Sequence, residues 1–294
     1  MPTIGWNKKV WDSEYNWDAG GDEWSGTWGG SDMHWYGSIL PRIHCFLPAA
    51  TILEIGPGYG RWSQYLKENC DNLIVLDISD KCIQACKERF KSSSNIQYIV
   101  NDGSSLDMIL DGSVDFIFSF DSLVHAEDDV MSGYIDQFSR ILKEDGAGFI
   151  HHSNLGEYRR YFSLLRWLLS KLSLSTEREG SGRSINDDGS GISGTLQKIA
   201  FSLAGNMIID RSHLRALSMT ADKFNRYAED AGLQCVGQEI INWGSKRLID
   251  CFSTFTVKGS RWQRDNILVR NGAYMKEAGS ILNASRLYSS SSFK

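Results

Sequence analysis

Ile52-Leu-Glu-Ile-Gly-Pro-Gly-Tyr-Gly-Arg61 decides the fold of this chain. Ile52, Leu53 and Ile55 around Glu54 predict a short buried strand. It runs into three glycines, Gly56, Gly58 and Gly60, and Trp62-Ser-Gln-Tyr-Leu-Lys67 then reads as the start of a helix. Strand, glycine-rich turn and helix make a cradle for a nucleotide-like ligand, because the backbone can touch the ligand where no Cβ intervenes. A dinucleotide fingerprint, Gly-x-Gly-x-x-Gly, requires its third glycine at position 61, where Arg61 stands.

Downstream the pattern repeats. Asn72-Leu-Ile-Val-Leu-Asp77 is a second buried strand ending in an acid, and Ile78 to Phe90 follows as a helix. A carboxylate there suits the paired hydroxyls of a ribose. The competing reading is a helix cap, but Ser79 or Asp80 can fill that role without Asp77. Asn95–Val100 and Val114–Asp121 predict the third and fourth strands. A helix spans Val130 to Lys143, and Gly146–His152 is the fifth strand. Alternating strands and helices imply βαβ units on a parallel sheet, an α/β fold. Ligands in such sheets sit outside the carboxyl ends of the strands, and Asp77, Asp102, Asp121, His125, His151 and His152 all fall at or just after such ends. Thr220–Gly232 is a helix with a Thr cap and a Gly stop, and Leu233–Ile241 and Leu248–Val257 close the sheet.

Three segments fall outside the alternation. Residues 1–48 form a Trp-rich cap, with six of the ten tryptophans before residue 36. Its flat rings and aspartates suit a sugar face or simple packing over the domain's side. Residues 155–218 are an insertion in the 49–258 domain. Tyr158–Leu172 is expected to be a basic amphipathic helix, a core element or a peripheral membrane contact, and 173–194 a Ser/Gly/Asp-rich loop. Residues 259–294 form a basic appendage suited to self-association or partner contact.

Composition narrows the class. A net charge of -5 argues against nucleic acid. No apolar run approaches the roughly 20 residues of a membrane span, and the N-terminus lacks an apolar signal core. Six scattered cysteines show no metal-ligand or disulfide spacing and read as thiols of a reducing cytoplasm. No carboxylate/His cluster is tight enough to demand a metal.

Glu54-x-Gly-x-Gly-x-Gly60 with Asp77 resembles motif I of the class I S-adenosylmethionine (SAM)-dependent methyltransferases. SAM has no pyrophosphate, so Glu54 near its cationic end is tolerable. The resemblance covers residues 50–152 and 220–257. It implies a Rossmann-like, mostly parallel seven-stranded sheet with an antiparallel last strand. It implies SAM as cofactor, with Glu54, Gly56, Gly58 and Gly60 at its methionine part and Asp77 at its ribose. Asp102 would sit at its adenine, with Ile78, Gly103 and Phe120 completing the cofactor set. The Trp-rich leader, Asp121–His125 and His151-His-Ser-Asn154 look like bacterial sugar methyltransferases, which implies O-methylation of a small-molecule or glycan hydroxyl. The expected base is His125, with Asp121 orienting it or replacing it and His152 next. Trp28, His34, Tyr36, Arg159, His213 and Arg215 are the expected acceptor contacts. The alternatives are N- or carboxyl-methylation, and a catalytically silent SAM-binding subunit. A nucleic-acid methyltransferase is disfavoured further because no Asn/Asp-Pro-Pro-aromatic run follows the fourth strand.

Overall fold

The computed structural model describes residues 3–159 and 215–288. Eight strands form one sheet: β1 (Ala49–Ile55), β2 (Cys70–Asp77), β3 (Ile96–Val100), β4 (Val114–Ser119), β5 (Leu142–Ser153), β6 (Leu233–Ile241), β7 (Asp250–Val257) and β8 (Ile267–Asn271). Their order is β3-β2-β1-β4-β5-β7-β6-β8. β7 lies antiparallel between β5 and β6, and the remaining pairings are parallel. The fold is the α/β, Rossmann-like arrangement expected. A parallel sheet must be covered on both faces, so its inner strands carry near-continuous apolar runs. Ile52, Leu53, Val75, Leu76, Phe116 and Ile117 are accordingly fully buried.

One face is covered by the helices Asp128–Ile141 and Ala221–Asp230. Met131, Tyr134, Ile135, Phe138 and Ile141 recur at helical spacing and pack with Leu53, Ile117, Phe224 and Phe255. Each such side chain contributes about 1.5–3 kcal/mol by leaving water. Thr220 Oγ1 accepts from the Lys223 N–H at 3.0 Å and starts the second helix, as the sequence predicts. The other face is covered by the helix Asp80–Arg89, helical turns from Ser31 to Phe46, and the helix Tyr274–Leu287. Trp28, Trp35, Ile39, Ile43, Ile83 and Tyr274 are buried there.

Four details differ from the sequence reading. The sheet has an eighth strand, supplied by Ile267-Leu-Val within the segment read as a basic appendage, so the antiparallel strand is the seventh. A polar surround hid that three-residue apolar run, and pairing along β6 made it a strand. β5 begins at Leu142, directly after its helix, and the register jumps from Val114↔Leu142 to Phe116↔Ala147. β4 stops at Ser119, and Asp121 has φ 63°, left-handed for a residue other than glycine. The leader contains a short helix, Ile4–Lys9, capped by Thr3. The expected loop 173–194, most of the amphipathic helix, and His213 lie outside the described residues. Among the described residues no helix is long and apolar enough to cross a membrane.

Candidate active site

A cavity of about 360 Å³ opens beyond the ends of β1, β2 and β4, where the strand order reverses. Gly56 has φ +70°, and a Cβ on it would fall 1.8 Å from Ser122 Oγ. The glycine turn and the exit of β4 thus touch only because no side chain separates them. Trp17 lies flat against the turn, and a Cβ on Gly58 would meet its ring at 2.8 Å. Asp77, at the end of β2, is buried in the same wall. Its Oδ1 accepts from the Ser79 N–H at 2.8 Å and its Oδ2 from the Gly58 N–H at 3.2 Å. Ser79 caps the next helix itself, accepting from the Cys82 N–H at 3.1 Å, so Asp77 is not needed for that. Burial pushes the Asp77 carboxyl up to about 6.

The Trp-rich leader supplies the opposite wall. Trp11, Tyr15, Trp17 and Trp24 all face the cavity. Tyr15 stacks on Trp24 at 5.3 Å and Trp17 on Tyr59 at 4.5 Å, so the rings form a rigid surface. Ile4 closes the end near Ile78 and Gly103, and Asn7, also in the lining, donates from Nδ2 to His125 O at 3.5 Å. Two carboxamide oxygens in the wall, Asn7 Oδ1 and Asn101 Oδ1, are buried without a partner. Such acceptors fit an amino group on a bound heterocycle.

The structure brings His125 and Asp121 together at the cavity. His125 ends a short helical turn after β4, is nearly buried, and has Trp11 5.4 Å from its ring. Asp121 accepts from Arg61 Nη2 at 3.1 Å. Its backbone N–H donates to His151 Nδ1 at 3.2 Å, so the His151 proton sits on Nε2. That nitrogen lies 3.2 Å from Asp250 Oδ2. Arg215 Nε donates to Asp250 Oδ1 at 2.7 Å. Burial opposes ionisation of Asp250, but the Arg215 guanidinium outweighs it and holds the carboxyl at about 2.

His152 points to the other side of β5, as strand alternation requires. It stacks on Phe224 at 4.7 Å, donates from Nδ1 to Ser153 O at 2.9 Å, and accepts at Nε2 from Ser253 Oγ at 2.8 Å. Burial lowers its pKa to about 4. The unfolded chain therefore takes up this proton near pH 6.5 and the folded chain only near 4. Stability is fully present above pH 6.5 and falls by about 3 kcal/mol as pH drops through that window. Urea titrations at pH 7 and 4.5 should show a smaller pH loss in His152→Gln; an equal loss would remove His152 as its source.

The other expected residues scatter. Gly56, Gly58, Ile78, Gly103, Phe120 and Arg215 line the cavity. Glu54 does not; it accepts from Ser63 Oγ behind the turn, and burial pushes its carboxyl up to about 8. Gly60 makes room for the Phe90 ring instead of for a ligand. Asp102 accepts from the Ser104 and Ser105 N–H groups, which lower its pKa, and caps its own turn. Trp28 and His34 stack at 3.7 Å in the layer behind the cavity, and Tyr36 and Arg159 are exposed away from it. Sequence reading missed Asn7, Asn101, Trp62 and Trp243 as cavity residues. Only Asn101, at a strand end, carried a positional signal.

Residues 52–146 match a family model described as a methyltransferase domain. This part of the chain is therefore similar to methyltransferase domains. The chain is 31% identical over 118 residues to phosphoethanolamine N-methyltransferase 1 of Triticum aestivum, covering 38% of this chain and 24% of that protein. Over 55 residues it is 34% identical to ribosomal RNA small subunit methyltransferase A of Dehalococcoides mccartyi, 19% of each chain. The chain thus spans about a quarter or less of the length of these curated relatives. Among solved structures, the PH0226 protein of Pyrococcus horikoshii is similar at 18% identity, with a TM-score of 0.48 over 76% of this chain and 91% of that one.

Proposed function

We propose that the whole chain is a SAM-dependent methyltransferase that methylates a hydroxyl of a sugar-type acceptor. The observation that carries this reading is the wall of Trp11, Tyr15, Trp17 and Trp24 facing His125 across the cavity. Aromatic faces suit the apolar face of a sugar ring, and a neighbouring histidine suits the removal of a hydroxyl proton near neutral pH. When bound, SAM supplies the methyl group. The Gly56–Gly58 turn and Asp77 would hold its methionine and ribose parts, and Ile4, Asn7, Ile78 and Asn101 its base. The rings of the leader cover the cavity and keep water out. His125 would take the acceptor's proton as the C–O bond forms and the bond between the methyl carbon and the sulfonium sulfur breaks, leaving S-adenosylhomocysteine, and would later return the proton to solvent.

His125→Ala should lower turnover by about 10²–10⁴-fold and leave affinity for the product S-adenosylhomocysteine near wild type. Unchanged turnover would move the base to Asp121. A second reading has a specific support: the wheat relative is named as an N-methyltransferase. An amine acceptor needs no base once deprotonated, so His125→Ala would then have little effect. Incubation with SAM and panels of nucleotide sugars, glycans and primary amines, read by product mass, separates the two. Methyl transfer to nitrogen alone would overturn the sugar reading.

A further inference from the structure

In the sequence, Arg61 serves only to break a dinucleotide fingerprint. In the fold it is 6% exposed and lines the cavity beside Trp62. Its Nη2 is taken by Asp121, and its guanidinium lies 4.5 Å from the centroid of the Trp62 ring. Its Nη1 has no acceptor, and neither has the indole Nε1 of Trp62, although both atoms are buried. Buried donors in folded proteins are nearly always paired, and leaving a cationic one unpaired is the costlier case. Asp121 takes Nη2 alone, and the rings of Trp35, Tyr65 and Phe120 lie beside Trp62. Two unmatched donors on consecutive residues, one of them cationic, complement a carboxylate, whose two oxygens accept one bond each.

The position agrees with that chemistry. Asp77 marks the ribose end of the cofactor site, and Gly56–Gly58 form its middle. Arg61 and Trp62 lead from the glycine turn into the helix Ser63–Leu66, on the far side of the turn from β1, with Trp62 at its N-cap. We propose that Arg61 Nη1 and Trp62 Nε1 clamp the carboxylate of the cofactor's methionine part, with Asp121 holding the guanidinium from behind. The proposal rests on the SAM reading above.

Calorimetry on the full chain tests it, with S-adenosylhomocysteine and its decarboxylated analogue, S-adenosyl-3-thiopropylamine, as probes. Wild type should bind the carboxylate-bearing ligand about 10- to 100-fold more tightly. Arg61→Met should bring that ratio close to one. Trp62→Phe, which deletes the N–H and keeps an aromatic ring, should reduce it by a smaller factor. Equal binding of both probes by wild type overturns the clamp while leaving the cofactor assignment intact; so does a ratio that survives in both variants. If Arg61→Met fails to fold by thermal melting, Trp62→Phe decides alone. Failure of folded wild type to bind either probe overturns the cofactor reading and the clamp with it.

Discussion

Replacing Asp77 with alanine will abolish SAM binding, with a loss of at least about 100-fold in affinity measured by calorimetry. The expectation follows from where its two oxygens are held. Oδ1 faces the Ser79 N–H and Oδ2 the Gly58 N–H, so the carboxylate is fixed at the end of β2 with lone pairs left for a diol. Two charge-assisted hydrogen bonds to ribose hydroxyls contribute about 1.5–3 kcal/mol each. The same residue sets a pH dependence. Burial holds its carboxyl at about 6, and the ionised form is the better acceptor. Affinity should therefore be flat above pH 6 and weaken about tenfold per unit below it, as binding must first release the proton. Wild-type affinity in Asp77→Ala would remove Asp77 from the cofactor site.

Asp250→Ala should lower the stability of the fold by about 3–5 kcal/mol, read as the urea unfolding free energy at pH 7. Asp250 is fully buried on β7, and the Arg215 side chain is 2% exposed. Removing the carboxylate takes away the buried anion that both Arg215 Nε and the His151 ring face. The wild-type contribution is present above the ordinary aspartate pKa near 4 and is lost as pH falls towards about 2. The variant should thus also lose part of the acid sensitivity. An unchanged unfolding free energy would mean that Arg215 finds equivalent acceptors elsewhere.

The core of the fold was legible because its signals are local. Ile52 to Arg61 is a strand and a turn whose glycines no other arrangement uses as well, and Asp77 follows from one more strand. The helix Thr220–Gly232 was readable from its two ends. The site was less legible because its wall is assembled from distant segments. Nothing near Asn7 or Trp243 in the chain says that they meet Gly56 and His125. Asp102 occupies the expected position, yet its carboxylate is occupied by its own turn, a competition between neighbouring backbone donors that spacing cannot reveal. His151 and His152 were separable in principle by strand alternation. Which one faced the Asp121 side depended on a register set by β7.

The strand β8 and the helix after it carry one more consequence. Tyr274 Oη lies 3.2 Å from Ser38 Oγ, Arg42 pairs with Glu239 at 2.6 Å, and the Ile281 side chain fills the space beside Gly37. The first and last parts of the chain are therefore clasped to each other on one face of the sheet. The leader that roofs the cavity is held down by residues translated some 240 positions later. During synthesis the roof has no completed foundation until the helix Tyr274–Leu287 emerges, so a ligand-ready cavity depends on the chain out to that helix and not on its first 150 residues alone.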